Sequence, residues 1–401
     1  MTTSAADVAG RGRPAPTTPL RVSHVIHSLG PGGAENVLVE LAAAAPSAGI
    51  RLQVIGLSPV DRPVHAQSLR ELGVPVVELD LPRWDPRAVP GTVAALRSFR
   101  PHVVHTHLKH ADLVGAMAGS LLRLPVVSTL HVVEDAPAGA LARHKRTAGL
   151  VVRRRTAART LALSTRQREW YEELTGTDRG LVVLPNGVAD PGVADADRRA
   201  AVRNELGAVD GRPLVVTASL MRPEKGHALL LDAVSQLPAE LRPVVALAGD
   251  GPLRGSLEAR ADADPRLRDR VRFLGYRDDV PTLLTAADLV LHPSLADALP
   301  TTVMQALAVG VPVLATDVGG IPDIVGTDAG VLVPPEPGAM AAALTRLLAD
   351  DGLRDRLGAA GRIRFLDRFE AVGWATRLRA LYDAVLAEPG RAWSTAARNR
   401  L

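Results

Sequence analysis

The sequence predicts an α/β protein made of two Rossmann-like, doubly wound parallel-sheet halves that face each other across a central cleft. Two observations carry this. From Leu20 onward, short runs rich in Val and Leu alternate with stretches of helical length, the pattern of strands joined by crossover helices. The alternation stops once, at the polar stretch VADPGVADADRRAAVRNELGAVDGRP, and then resumes, so the chain divides into two series. At 401 residues and 47% apolar it can bury two cores.

Taken in order, LRVSHVIHSL reads as a strand and GPGGAENVLVELAAAA as a Gly-rich turn into a helix. RLQVIGLS (strand), VHAQSLRELG (helix), VPVVELD (strand), PRAVPGTVAALRSF (helix) and PHVVHTH (strand) follow. The first half, set at 20–190, is completed by ADLVGAMAGSLLR, PVVSTLH, an Arg-rich helix over 140–158, TLALST, a helix over 165–175 and GLVVLPNGV. The second half, set at 191–371, starts with a linker and connecting helix. Its strands are PLVVTASL, PVVALAG, VRFLGY, LVLHPS, VPVLAT and AGVLVP, separated by helices from Gly226 to Leu237, after Pro252, near 280–287, after Pro300 and from Gly338 to Ala349. A long helical tail runs to about Ala387, and its part near 372–388 is expected to pack back on the first half. Residues 1–19 have no apolar run and no signal-peptide core, so they read as a disordered tail on a non-secreted, cytoplasmic protein; 389–401 form a second tail.

Composition narrows the function. With no cysteine there is no disulfide framework and no thiolate metal site. The pI of 9.9 comes largely from arginine, because the formal net charge is only +4 and lysine occurs only at 109, 145 and 225. That balance suits anionic substrates, while 3% aromatics argues against the stacking platforms of single-strand nucleic-acid binders.

The most informative stretch is HPSLADALPTTVMQALAVGVPVLATDVGG, from His292 to Gly320. It reads as a strand end, a loop carrying Asp297, a short helix opened by Pro300, and a second strand. Residues 298–316 are uncharged and as long as a membrane span, but Pro300, Gly310 and Pro312 cut them into helix, break and strand. Proline suits a first helical turn because the N–H it lacks would be unpaired there. Leu299 and Thr301, on either side of Pro300, then present free backbone N–H donors and partial positive charge to an anion such as a diphosphate. Asp297 before the helix and Gln305 within it could grip opposite ends of an elongated ligand.

With these segments in place, the chain resembles the retaining glycosyltransferases of family GT4, which have the GT-B fold. The likeness covers about residues 20 to 388. It rests on LGPGGAE (29–35), VVHTH (103–107), STLH (128–131), LPNGV (184–188), RPEKGHALLLDA (222–233), AGDGPLR (248–254), FLGYRDDV (273–280) and the 292–320 stretch. The resemblance implies transfer of a sugar from a nucleotide diphosphate-sugar, UDP by default or GDP, to a sugar, lipid-linked or small-molecule acceptor, with retention and without a metal or other cofactor. Gly32 and Gly33, lacking Cβ atoms, would let backbone approach phosphate or sugar. Taken alone, they are better read as an ordinary tight turn. Lys225 would neutralise the leaving diphosphate. His131 would line the reaction centre and Asp297 the donor sugar, while Gln305 would meet the ribose.

The chain departs from the family pattern at several points. The family's phosphate-binding Arg commonly lies five residues before the Lys, where this chain has Leu220; Arg222 could serve instead. The family's paired glutamates fall on Asp297 and Gln305, and Asp323 stands where Glu is frequent. His102, His105, His107 and His110 invite a metal reading, but only Asp112 joins them, and the VVHTH strand end explains them more simply, with His107 near the acceptor. The run RHKRTAGLVVRRRTAAR (143–159) reads as a solvated basic helix, or as a peripheral contact for anionic lipid headgroups on the inner face of a membrane. Oligomeric state is not legible. Two other readings are open: another GT-B enzyme such as a nucleotide-sugar epimerase, and a nucleotide-sugar-binding protein with weakened catalysis.

Overall fold

The computed structural model describes residues 18–388 apart from 31, 132–138, 140–148, 152 and 193–194. Both expected tails, except residues 18 and 19, and much of the Arg-rich 140–158 segment therefore lie outside the described residues.

The first half runs β1 (Leu20–Ile26), α1 (Gly33–Ala44), β2 (Ile50–Gly56), α2 (Val64–Glu71), β3 (Val76–Glu78) and α3 (Ala88–Phe99). It continues with β4 (Val103–His107), α4 (Lys109–Leu122), β5 (Val126–Thr129), β6 (Ala157–Ala162), α5 (Thr165–Thr175) and β7 (Leu181–Val183). The second half runs α6 (Ala196–Leu206), β8 (Leu214–Ala218), α7 (His227–Ser235), β9 (Val244–Ala248), α8 (Arg254–Ala263), α9 (Pro265–Arg268), β10 (Val271–Gly275) and α10 (Val280–Ala286). Then come β11 (Leu289–His292), α11 (Thr301–Ala308), β12 (Val313–Thr316), α12 (Ile321–Val325), β13 (Gly330–Val333), α13 (Pro337–Ala349), α14 (Asp351–Arg368) and α15 (Ala371–Ala387).

Each half is a parallel sheet, seven strands in the order β3-β2-β1-β4-β5-β6-β7 and six in the order β10-β9-β8-β11-β12-β13. Helices cover both faces, so strands such as β8 and β9 are buried at every residue and carry continuous apolar runs. Caps fix the helix limits where sequence supplies them. Ser164 accepts from the Gln167 N–H at the start of α5, and Gly176 closes it in the left-handed region.

The helical tail is two helices, not one. At the break, the Val188 N–H donates to the Phe369 carbonyl (2.9 Å) and the Ala371 N–H donates to the Val188 carbonyl (3.1 Å). Glu370 then caps α15 by accepting from the N–H groups of Val372 and Gly373. Beyond the break, Trp374, Leu378, Tyr382 and Val385 enter the core of the first half. Two short helices, α9 and α12, were not expected; each is a single turn with too few residues to show periodicity.

Candidate active site

Doubly wound sheets bind ligands at the carboxyl ends of the strands where the order reverses. That point lies between β1 and β4 in the first sheet and between β8 and β11 in the second. The loops leaving these strands meet across a cleft of about 810 Å³. The first half contributes Gly32, Gly33, Leu108 and His131; the second contributes Ser219, Leu220, Arg222, Glu224, Lys225 and Leu295 to Thr302, with a few neighbours.

The Asp297 loop is shaped by close backbone packing. Gly319 has φ of +55°, and a Cβ there would sit 1.7 Å from the Asp297 carbonyl oxygen. Gly226, at φ +66°, lies as close to the loop's other end, where a Cβ would be 1.9 Å from the Pro293 carbonyl oxygen. Both positions require glycine for backbone conformation and for space. So held, Asp297 turns inward, its Oδ2 2.5 Å from Lys225 Nζ, 3.2 Å from His292 Nε2 and 3.3 Å from Ser294 Oγ. Burial alone would raise this carboxyl. The hydrogen bond and charge of His292, joined by Lys225, overcome it and hold Asp297 at about 2. Asp297 is thus a fixed anion with little basicity.

The helix that follows opens onto the same space. Pro300 occupies the cap position of α11, and no side chain among the described residues caps its first turn. Leu299, Pro300, Thr301 and Thr302 line the cleft. Thr302 Oγ1 donates to the Ala218 carbonyl at 2.9 Å, tying the helix start to the end of β8. Gln305, one turn on, is half-buried and lies outside the cleft lining. Arg222 is exposed at the cleft, before the short turn Pro223–Lys225, and Leu220 beside it is 41% exposed.

Across the cleft, a Cβ on Gly33 would meet nothing within 4 Å, whereas one on Gly32 would strike the Glu35 carboxylate at 2.2 Å. Burial raises the Glu35 carboxyl, partly opposed by a backbone hydrogen bond. His131 is half-buried, with Nε2 2.8 Å from His107 Nδ1, and desolvation holds its imidazole down to about 4. A smaller cavity of about 220 Å³ shares His131 and Leu108 with the cleft and extends into the first half toward His27, His110, Leu150 and Trp170.

The four-histidine cluster separates. His102 accepts the Arg21 N–H at 3.0 Å, and His110 pairs with His27 at 3.2 Å. His105 and His107 do share a face, where His24 of β1 joins them, and one nitrogen from each lies within 4.8 Å of the others. Such spacing would admit an ion. Yet both nitrogens of His105 are already engaged, by Tyr382 Oη (2.6 Å) and Thr129 Oγ1 (2.7 Å), and both of His107, by His24 and His131.

One expectation for the basic run needs correction. Arg153 is not on a solvated face; it is buried, pairs with Asp112, and Arg153 Nε donates to Ser128 Oγ at 3.0 Å. Its partner sits on α4, which the spacing of arginines could not reveal. Asp323 faces the first half, where it accepts from the Thr165 N–H (3.0 Å) and hydroxyl (2.7 Å). His292 and Ser294, which support Asp297, carry no motif that singles them out in the sequence. A histidine closing the LVLH strand was the available signal, by the same logic that flagged His131.

Two Rossmann-like halves with a cleft built from both switch points define the GT-B fold. Residues 198–364 match the family described as glycosyl transferases group 1, and residues 31–190 match Glycosyltransferase Family 4. A 2-deoxystreptamine N-acetyl-D-glucosaminyltransferase of Streptomyces fradiae is 33% identical over 273 residues, 63% of each chain. A D-inositol 3-phosphate glycosyltransferase of Xylanimonas cellulosilytica is 34% identical over 298 residues, 70% of each chain. Among solved structures, Anabaena HepE in complex with UDP and glucose superposes with a TM-score of 0.79 at 22% identity, covering 91% of this chain and 100% of that one. The chain belongs to the group 1, family 4 glycosyltransferases. No helix among the described residues is long and apolar enough to cross a membrane.

Proposed function

We propose that the protein moves a sugar from a nucleotide diphosphate-sugar to a small hydroxylated acceptor, with retention at the anomeric carbon and without a metal. The observation that carries this is the convergence of Lys225, the uncapped start of α11 and the fixed anion Asp297 on one cleft between the halves. An ammonium has three N–H donors, so Lys225 can keep Asp297 and still reach a diphosphate oxygen. With the N–H groups of α11, it stabilises the charge that develops on the leaving phosphate. Arg222 is placed to assist from the rim.

Asp297 suits no general-base role, because a carboxylate held near 2 binds a proton poorly. Its role is to orient donor hydroxyls opposite His131. The bond from the anomeric carbon to the phosphate oxygen breaks while the acceptor oxygen attacks from the same face. The acceptor's hydroxyl proton passes to the leaving phosphate oxygen.

A UDP-sugar is the favoured donor, in line with the UDP complex of HepE. The acceptors named for the two relatives, 2-deoxystreptamine and inositol phosphate, are hydroxylated six-membered carbocycles, so acceptors of that kind are the first to try. The cavity beside His131 is the space offered to them. The test is a thermal-shift screen of nucleoside diphosphates and their sugars, since a ligand of the native state raises Tm. A rise with UDP or GDP and their sugars supports the proposal, and a flat response to all of them sinks it.

A further inference from the structure

Behind His131 a line of imidazoles runs from the cleft into the first half. His131 Nε2 lies 2.8 Å from His107 Nδ1, and His107 Nε2 lies 2.8 Å from His24 Nδ1. The strands make this possible: β1 and β4 are parallel neighbours with His24 beside His105 and Ile26 beside His107, so the rings gather on one face. The line ends at His24 Nε2, a buried atom with no hydrogen-bond partner among the described residues.

That end sets the polarity of the chain. A neutral imidazole has one N–H and one lone pair, so a ring that accepts at one nitrogen donates at the other. Among buried backbone groups, orphaned N–H donors are rarer than under-satisfied acceptors, and the same preference is carried to the ring. His24 therefore leaves its lone pair at Nε2 and donates Nδ1–H to His107 Nε2. His107 must then carry its proton on Nδ1, which donates to His131 Nε2. His131, accepting there, carries its own proton on Nδ1. Desolvation keeps all three rings neutral near pH 7, so no second proton blurs this order.

We propose that His24 and His107 are positioning residues that lock His131 as the Nδ1–H tautomer, so that it meets the donor sugar as a hydrogen-bond donor to a hydroxyl oxygen and not as a base. The proposal rests on the reading that His131 contacts the donor sugar. It also leaves the acceptor's proton to the leaving phosphate, because the basic nitrogen of His131 is occupied.

The direct test is a long-range proton–nitrogen correlation spectrum of protein labelled with ¹⁵N-histidine at pH 7, which needs no substrate. His131 Nε2 should resonate as an unprotonated nitrogen and Nδ1 as a protonated one; the opposite tautomer, or rapid averaging of the two, overturns the proposal. The second arm follows hydrolysis of UDP-glucose. His24→Leu should lower kcat roughly tenfold with donor KM within about twofold, as expected for lost orientation without lost binding. His24→Asn, whose amide nitrogen can replace Nδ1 as donor, should recover most of the rate. Wild-type kcat in His24→Leu, or no recovery in His24→Asn, counts against the positioning role. If His131→Ala itself turns over normally, the sugar-contact reading fails, while the spectrum still decides the tautomer.

Discussion

Lys225 is one of only three lysines in the chain, and its ammonium reaches both Asp297 and the open cleft. Lys225→Ala should lower turnover by about a hundredfold, the scale seen when one donor to a developing oxyanion is removed. Its far-ultraviolet circular dichroism should match the wild type. Unchanged turnover would refute the phosphate role.

The buried histidines give the fold a pH dependence of definite sign. His24 is pushed by desolvation from 6.5 to about 3, so below pH 6.5 the unfolded chain takes up a proton that the folded chain refuses. Its stabilisation is complete above that pH and is lost as pH falls toward the folded value. From His24 alone, the fold should lose about 2 kcal/mol between pH 6.5 and 5. His105, His107 and His131 act in the same direction. The check is Tm at pH 7 and pH 5: the drop should be smaller in His24→Leu than in the wild type, and an equal drop would clear His24 of the role.

At the level of elements, the site depends on how loops are anchored to strand ends. Gly33 and Gly319 look alike in the sequence but do different work. Gly319→Ala would drive a Cβ into the Asp297 carbonyl, so the variant should melt several degrees lower and lose nucleotide binding. Gly33→Ala meets no protein atom, so Tm should hold while the donor KM rises, roughly tenfold if phosphate or sugar approaches that backbone. Differential scanning fluorimetry with donor titration separates the two. Equal melting temperatures for both variants would mean that Gly319 does not clamp the loop.

The same elements show where the sequence was readable. Strands such as β8 and β9 announce themselves because full burial demands continuous apolar runs. The start of α11 announces itself through Pro300, whose chemistry is local. The break at Phe369 does not, because it is imposed by Val188, far away in the chain. Gln305 shows a further limit. Spacing places it on the right helix, but the orientation of that helix, pinned by Thr302 to β8, leaves it outside the cleft lining.

Across the whole molecule, the last helix belongs to the core of the first half. Trp374 is 4% exposed and packs beside Leu378 and Tyr382, and a Cβ on Gly187 would come within 2.7 Å of it. Trp374→Ala should cost about 3–5 kcal/mol, as large-to-small changes in a packed core do. Urea unfolding should show the loss in the first half, and an unchanged transition would mean that α15 docks only loosely. Polar ties also join the halves beside the cleft, including Thr165 to Asp323 and Arg166 to Asp317.

By itself the sequence determined the two parallel sheets, the cleft between them and some of the residues that line it, Lys225, Asp297 and His131 among them. Those features follow from hydrophobic period, from glycine and proline, and from strand ends, all of which act over a few residues. Only the tertiary structure decided what those residues touch. Asp297 is a fixed anion because Lys225, 72 positions away, shares its oxygen with His292. His131 has its direction set from His24 because two strands 83 positions apart lie side by side. Hydrogen bonds and desolvation depend on distance in space, and distance in space is what a linear pattern does not record.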